Sequence, residues 1–222
     1  MNLLHTVFAP SGAGPHPTLL TLHGWGANAL DLLGLAPYLC DGKFLVLCPQ
    51  GPLHVPLGGA AMGYGWFPIT MGGPIDVKAV IAAREALRQF LTEARVQYPI
   101  DPKKLAVLGF SQGGVMAYSL GLGEPERFAA LASLSSWLPQ DLLSVLPDVA
   151  ATEQLPVLIQ HGKRDEMVDV GRARQSSETL RNLRVPITYR EYEMGHEINA
   201  NSLGDLSSWL HEKVMSPIVL AS

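Results

Sequence analysis

Gly109-Phe110-Ser111-Gln112-Gly113-Gly114 is the stretch whose reading decides how this chain folds. An apolar run, Leu105-Ala106-Val107-Leu108, leads into it, and Val115-Met116-Ala117-Tyr118-Ser119-Leu120 leads out of it with the look of a helix. A strand that turns directly into a helix makes a corner so sharp that flanking side chains would strike neighbouring backbone, and glycine has no side chain to strike with. A serine at that corner sits on strained backbone with its hydroxyl held out from the turn.

Working outward from the corner, apolar runs of strand length recur at 18–22, 44–48, 105–110, 130–134, 156–160 and 187–192, with 3–8 as an additional edge strand. Most are continuously apolar, as parallel strands covered on both faces are. Helical patterns lie between them. In 76–97, Val77, Val80, Ile81, Leu87, Leu91 and Ala94 share one face, and Asp76 after Pro74 is placed to cap the start. The stretches 170–183 and 201–214 read similarly, the second burying Leu203, Leu206, Leu210 and Val214. The expectation is an α/β fold: a mostly parallel central sheet of about seven strands, helices on both faces and no separate cap domain. Residues 1–222 read as a single domain, without internal repeats. One segment, 50–73, has no periodicity, many glycines and several prolines, and holds Trp66 and Phe67. It reads as a long functional loop, an aromatic wall to a pocket.

Composition narrows the function classes. Hydrophobic residues at 47% and charged residues at 16% describe a globular chain, and a net charge of −4 without a Lys/Arg cluster argues against nucleic acid or an acidic membrane as partner. Met1 to Pro10 lacks the basic start of a signal peptide, and no apolar run approaches the ~20 residues of a membrane helix. A cytoplasmic protein with no stable membrane insertion is expected, as monomer or homodimer. Cys40 and Cys48 match no metal or redox spacing, and Cys48 reads as a buried small hydrophobe.

A serine hydroxyl attacks only when a base takes its proton and an acid orients that base. In α/β-hydrolases, which carry this elbow, those partners follow the serine in the order acid, then histidine. Three histidines follow Ser111. His211 lies within a helical pattern and reads as solvated. His161 closes a strand before Gly162 and reads as serving a turn. His196, between the last strand and the last helix, is the expected base. For the acid, Asp165 follows the 156–160 strand most closely, with Glu166 and Asp169 as competitors and Asp169 also placed to cap a helix. The oxyanion donors are expected from the backbone N–H of Gln112, at the start of a helix, and of Trp25, in the glycine-rich loop Leu22-His23-Gly24-Trp25-Gly26.

Five segments in order resemble the phospholipase/carboxylesterase family, which includes acyl-protein thioesterases and small bacterial carboxylesterases. They are Leu22-His23-Gly24-Trp25-Gly26-Ala27-Asn28, Pro49-Gln50-Gly51-Pro52, Gly109-Phe110-Ser111-Gln112-Gly113-Gly114, His161-Gly162-Lys163-Arg164-Asp165 and Gly195-His196-Glu197-Ile198. The resemblance implies a triad of Ser111, Asp165 and His196, oxyanion N–H groups at Trp25 and Gln112, and an acyl pocket bordered by Trp66-Phe67 and Ser136-Trp137-Leu138-Pro139. Trp25 stands where many members have leucine, Glu166 and Met167 where proline or valine is common, and Ser135-Ser136-Trp137 where Ser-Gly-aromatic is common. The implied activity is hydrolysis of a small-molecule carboxylic ester of short to medium acyl chain, without metal or cofactor. An acyl-protein thioesterase or lysophospholipase with a long-acyl channel is the alternative within the class. A non-catalytic ligand-binding protein on the same fold is the alternative outside it.

Overall fold

The computed structural model describes residues 2–70, 73–146 and 149–215. Among the described residues, nine strands and five α-helices follow in the order β1 (His5–Phe8), β2 (His16–Leu22), β3 (Leu45–Pro49), β4 (Leu53–Gly58), β5 (Ala61–Gly65), α1 (Val77–Gln97), β6 (Ile100–Phe110), α2 (Gln112–Gly121), β7 (Ala130–Leu134), the single turn α3 (Gln140–Leu143), β8 (Val157–Gly162), α4 (Val170–Asn182), β9 (Ile187–Tyr192) and α5 (Ala200–Leu210). Seven strands form the central sheet in the order β1-β3-β2-β6-β7-β8-β9. β1 pairs antiparallel at the edge, and the other neighbours are parallel.

The pleat explains the two cores. Leu20, Leu22, Leu45, Leu47, Leu105 and Val107 point to one face, where α1, α2 and α4 cover them. Their sequence neighbours Leu19, Val46, Ala106 and Leu108 point to the other, against Leu206, Trp209 and Leu210 of α5 and the 3-10 turn Leu33–Tyr38. Helices therefore lie on both faces, as expected. Asp76 caps α1 by accepting the Ala79 amide at 3.0 Å, and Asp169 caps α4 by accepting the Gly171 amide at 2.8 Å. Both cysteines are buried and free.

Three expectations need correction. The 50–73 segment is not a structureless loop, because β4 and β5 pair within it as an antiparallel hairpin; Met71 and Gly72 lie outside the described residues. The 156–160 strand continues to Gly162, so His161 is a buried strand residue and not part of a turn. The 201–214 helix stops at Leu210 and continues as one π turn, His211–Met215, with His211 exposed.

The sheet order also makes the site. From β2 the chain moves to β3 on one side, then crosses back through the hairpin and α1 to β6 on the other. The carboxyl ends of β2 and β6 are in register, Leu22 beside Gly109, and the chain leaves them in opposite directions. A crevice opens at such a switch point.

Candidate active site

Ser111 follows β6 immediately and has φ 53° and ψ −119°, a region that costs a non-glycine residue roughly 1–3 kcal/mol. The elbow is held by Ser111 N–H donating to the Leu134 carbonyl at 2.9 Å and Gly114 N–H donating to the Ser111 carbonyl at 2.9 Å. A side chain at Gly109 would run into the Gly113 carbonyl, and one at Gly113 into the Leu22 carbonyl, so this corner exists only with glycine there.

Asp165 stands three residues beyond β8 and His196 four beyond β9. His196 Nδ1 donates to Asp165 Oδ2 at 2.8 Å. A carboxylate only accepts, so Nδ1 carries a proton. Asp165 is 8% exposed, and its Oδ1 accepts the Met167 and Val168 amides at 2.9 and 2.8 Å. The two loops are laced together: the Lys163 amide donates to the Tyr192 carbonyl at 2.8 Å and the Arg164 amide to the Met194 carbonyl at 3.1 Å. The His196 ring rests on the Phe110 ring, centroids 4.8 Å apart, which carries it to the residue before Ser111. Among the described residues no hydrogen bond joins the Ser111 hydroxyl to His196. The competitors fall elsewhere: Glu166 is exposed and Asp169 is the cap of α4.

The Leu22–Gly26 loop comes close enough that a Cβ on Gly24 would lie 3.3 Å from Ser111 Cβ. Among the described residues neither the Trp25 nor the Gln112 backbone N–H has a hydrogen-bond partner. Gln112 N–H is the first amide of α2, where the helix supplies no acceptor and the dipole favours negative charge.

The Gln112 side chain adds a role that sequence reasoning missed. Its Oε1 accepts the Trp66 amide at 2.9 Å and its Nε2 donates to the Phe67 carbonyl at 2.6 Å, both bonds buried. Trp66 Nε1 then donates to the His23 carbonyl at 2.9 Å. The hairpin meets the same loop from its other edge, Gly26 N–H donating to the Tyr64 carbonyl and Tyr64 N–H to the Ala27 carbonyl, each at 2.8 Å. The Trp25 ring lies on Gly65, where a Cβ would sit 2.6 Å from Cε3. Hairpin, early loop and elbow are thus one bonded unit.

That unit changes the reading of the expected aromatic wall. Trp66 and Phe67 are 3% and 1% exposed, packed into the core. The remaining surface of Trp66 joins Pro52, Leu53, Pro68, Ala79 and Ala83 around an open apolar groove between the hairpin and α1 that includes none of Ser111, Asp165 and His196. Leu138 is 3% exposed, its amide donating to Ser176 Oγ at 2.8 Å. Trp137 is half-buried beneath the Arg172 guanidinium, 3.9 Å from the ring centroid. Of the expected wall residues only Trp137 keeps appreciable surface, and Trp25, 38% exposed, joins it.

A family model described as Phospholipase/Carboxylesterase matches residues 5–214. Acyl-protein thioesterase 1 of Gibberella zeae is 28% identical over 205 residues, covering 87% of this chain and 86% of the relative. The probable carboxylesterase SOBER1-like of Arabidopsis thaliana is 26% identical over 210 residues, covering 89% of this chain and 79% of the relative. The crystal structure of the Bacillus cereus carboxylesterase has the same fold, with a TM-score of 0.78 at 23% identity over 94% of this chain and 93% of that one.

Proposed function

This chain belongs to the phospholipase/carboxylesterase family of α/β-hydrolases, and from that premise we propose that it is a serine carboxylesterase acting on small-molecule esters of short to medium acyl chain. Ser111 attacks the ester carbonyl. His196 takes the serine proton on Nε2 and returns it to the departing alcohol, and water then cleaves the acyl-enzyme by the same route. Asp165 holds the ring in the Nδ1–H tautomer and stabilises its cationic form. The Trp25 and Gln112 amides receive the oxyanion, each contributing roughly 2.7–4 kcal/mol.

The observation that carries this reading is the 2.8 Å bond from His196 Nδ1 to a buried Asp165, at the same sheet edge as a serine held at positive φ. Trp25 is the reason for preferring shorter chains: an indole on Gly65 beside a donor amide takes room that a smaller side chain would leave to the acyl group.

A fluorophosphonate probe and a series of p-nitrophenyl esters from acetate to palmitate test both parts. The wild type is expected to label and to turn over, and Ser111→Ala to do neither while melting as the wild type does. Full activity in Ser111→Ala sinks the mechanism, and failure of the wild type to label points to the ligand-binding alternative. The Gibberella zeae relative is named as an acyl-protein thioesterase. A kcat/KM that rises steadily to palmitate would favour that long-acyl activity instead.

A further inference from the structure

A second histidine, unused in the mechanism above, touches the acid. His161 is the fifth residue of β8, and its side chain is fully buried. Its Nε2 lies 2.8 Å from the Val168 carbonyl oxygen and 3.3 Å from Asp165 Oδ2. A carbonyl only accepts, so Nε2 carries a hydrogen. Nδ1 has no hydrogen-bond partner among the described residues. The Ser135 hydroxyl is also buried without a partner, and its amide donates to the carbonyl of Gln160, next to His161 in the strand.

The contacts close into a ring. Val168 N–H donates to Asp165 Oδ1, His161 Nε2–H donates to the Val168 carbonyl, and the same Nε2–H faces Asp165 Oδ2. Two imidazoles therefore address one carboxylate oxygen, His196 through Nδ1 at 2.8 Å and His161 through Nε2 at 3.3 Å. The final torsion of an aspartate is soft and nearly two-fold, so a carboxylate held only by backbone amides can rock. The ring fixes the plane and leaves Oδ2 turned to His196.

We propose that His161 is a positioning residue for Asp165: an Nε2–H imidazole that ties the 165–168 turn to β8 and aims the carboxylate at His196. The proposal rests on the triad reading above.

The test compares His161→Met, which fills similar space without a donor, with His161→Gln, whose amide can donate to the same oxygens. The substrate is p-nitrophenyl butyrate, with Ser111→Ala as control. In His161→Met, kcat is expected to fall about 10- to 100-fold, the scale of a misaligned catalytic group, with KM little changed. The acid limb of its kcat/KM profile is expected to move to lower pH, because a His196 cation that loses its carboxylate is less favoured. His161→Gln is expected to recover most of both. A merely structural role would lower the melting temperature and leave kcat per folded molecule and the acid limb where they were. That outcome overturns the proposal. A measurement on the wild type stands independently of whether variants fold: 15N NMR is expected to find His161 in the Nε2–H form, and the Nδ1–H form would also overturn it. An active Ser111→Ala would remove the triad reading itself, whereas an inactive Ser111→Ala beside an unperturbed His161→Met would remove only the inference.

Discussion

At His23 the ring is 2% exposed, lies against the Trp66 indole, donates from Nδ1 to the Gly24 carbonyl at 2.7 Å and accepts the Gly51 amide on Nε2 at 3.0 Å. Burial pushes its pKa below the ordinary histidine value, and the Gly24 bond and the Asp31 charge oppose that in part. A proton on Nε2 would also face the Gly51 N–H, donor against donor. The unfolded chain takes up this proton near pH ~6.5 while the folded chain resists it, so the contribution is complete above about 6.5 and is lost as pH falls below that value. Urea midpoints between pH about 7.5 and 5 are therefore expected to fall with pH in the wild type and to fall less in His23→Gln. Equal slopes would show that His23 is not the group responsible. That Ser111, Asp165 and His196, the proposed triad, share one sheet edge was legible because each follows the end of a strand-length run in a parallel sheet. His161 was not, because Gly162 beside it looked like the start of a turn. That glycine is needed inside the strand, where a side chain would strike the Met194 and Gly195 carbonyls.

Among the elements, the β4–β5 hairpin was the least legible, and its chemistry explains why. Strands announce themselves by alternation and β-branched residues, yet β5 reads Ala-Met-Gly-Tyr-Gly. Its glycines are there because Gly26 and the Trp25 ring come too close for anything larger. Packing against the early loop thus erased the pattern by which a strand is recognised. The Gly58-Gly59 pair, both at positive φ, was the signal available for a tight turn. The same packing makes the Gln112 side chain the clamp of this element. Gln112→Ala keeps the backbone amide but orphans the Trp66 N–H and the Phe67 carbonyl, each costing about 1–3 kcal/mol when buried. A loss of about 2–6 kcal/mol in the unfolding free energy is expected, together with a drop in kcat/KM as the Trp25 loop loses its support. Wild-type stability in this variant would mean that the hairpin is held without it.

For the whole molecule, the order of the sheet sets a hierarchy of stability. β6 lies between β2 and β7, and its Leu105–Leu108 stretch is fully buried, whereas β1 and β9 lie at the edges and the hairpin stands outside the sheet. Amides of 105–108 are expected to exchange with solvent most slowly, near the global unfolding limit, and those of 53–65 markedly sooner. Equal protection would mean that hairpin and sheet open as one unit. The parallel sheet was legible because period and order are local properties of the chain; which way Trp66, Phe67 and Leu138 face was not, because facing depends on distant partners. The proposed serine, acid and histidine follow the ends of β6, β8 and β9, whereas the hairpin against Trp25 lies between β3 and α1. The proposed reacting groups and the hairpin that supports the Trp25 loop therefore come from separate stretches of chain, joined through the Gln112 side chain.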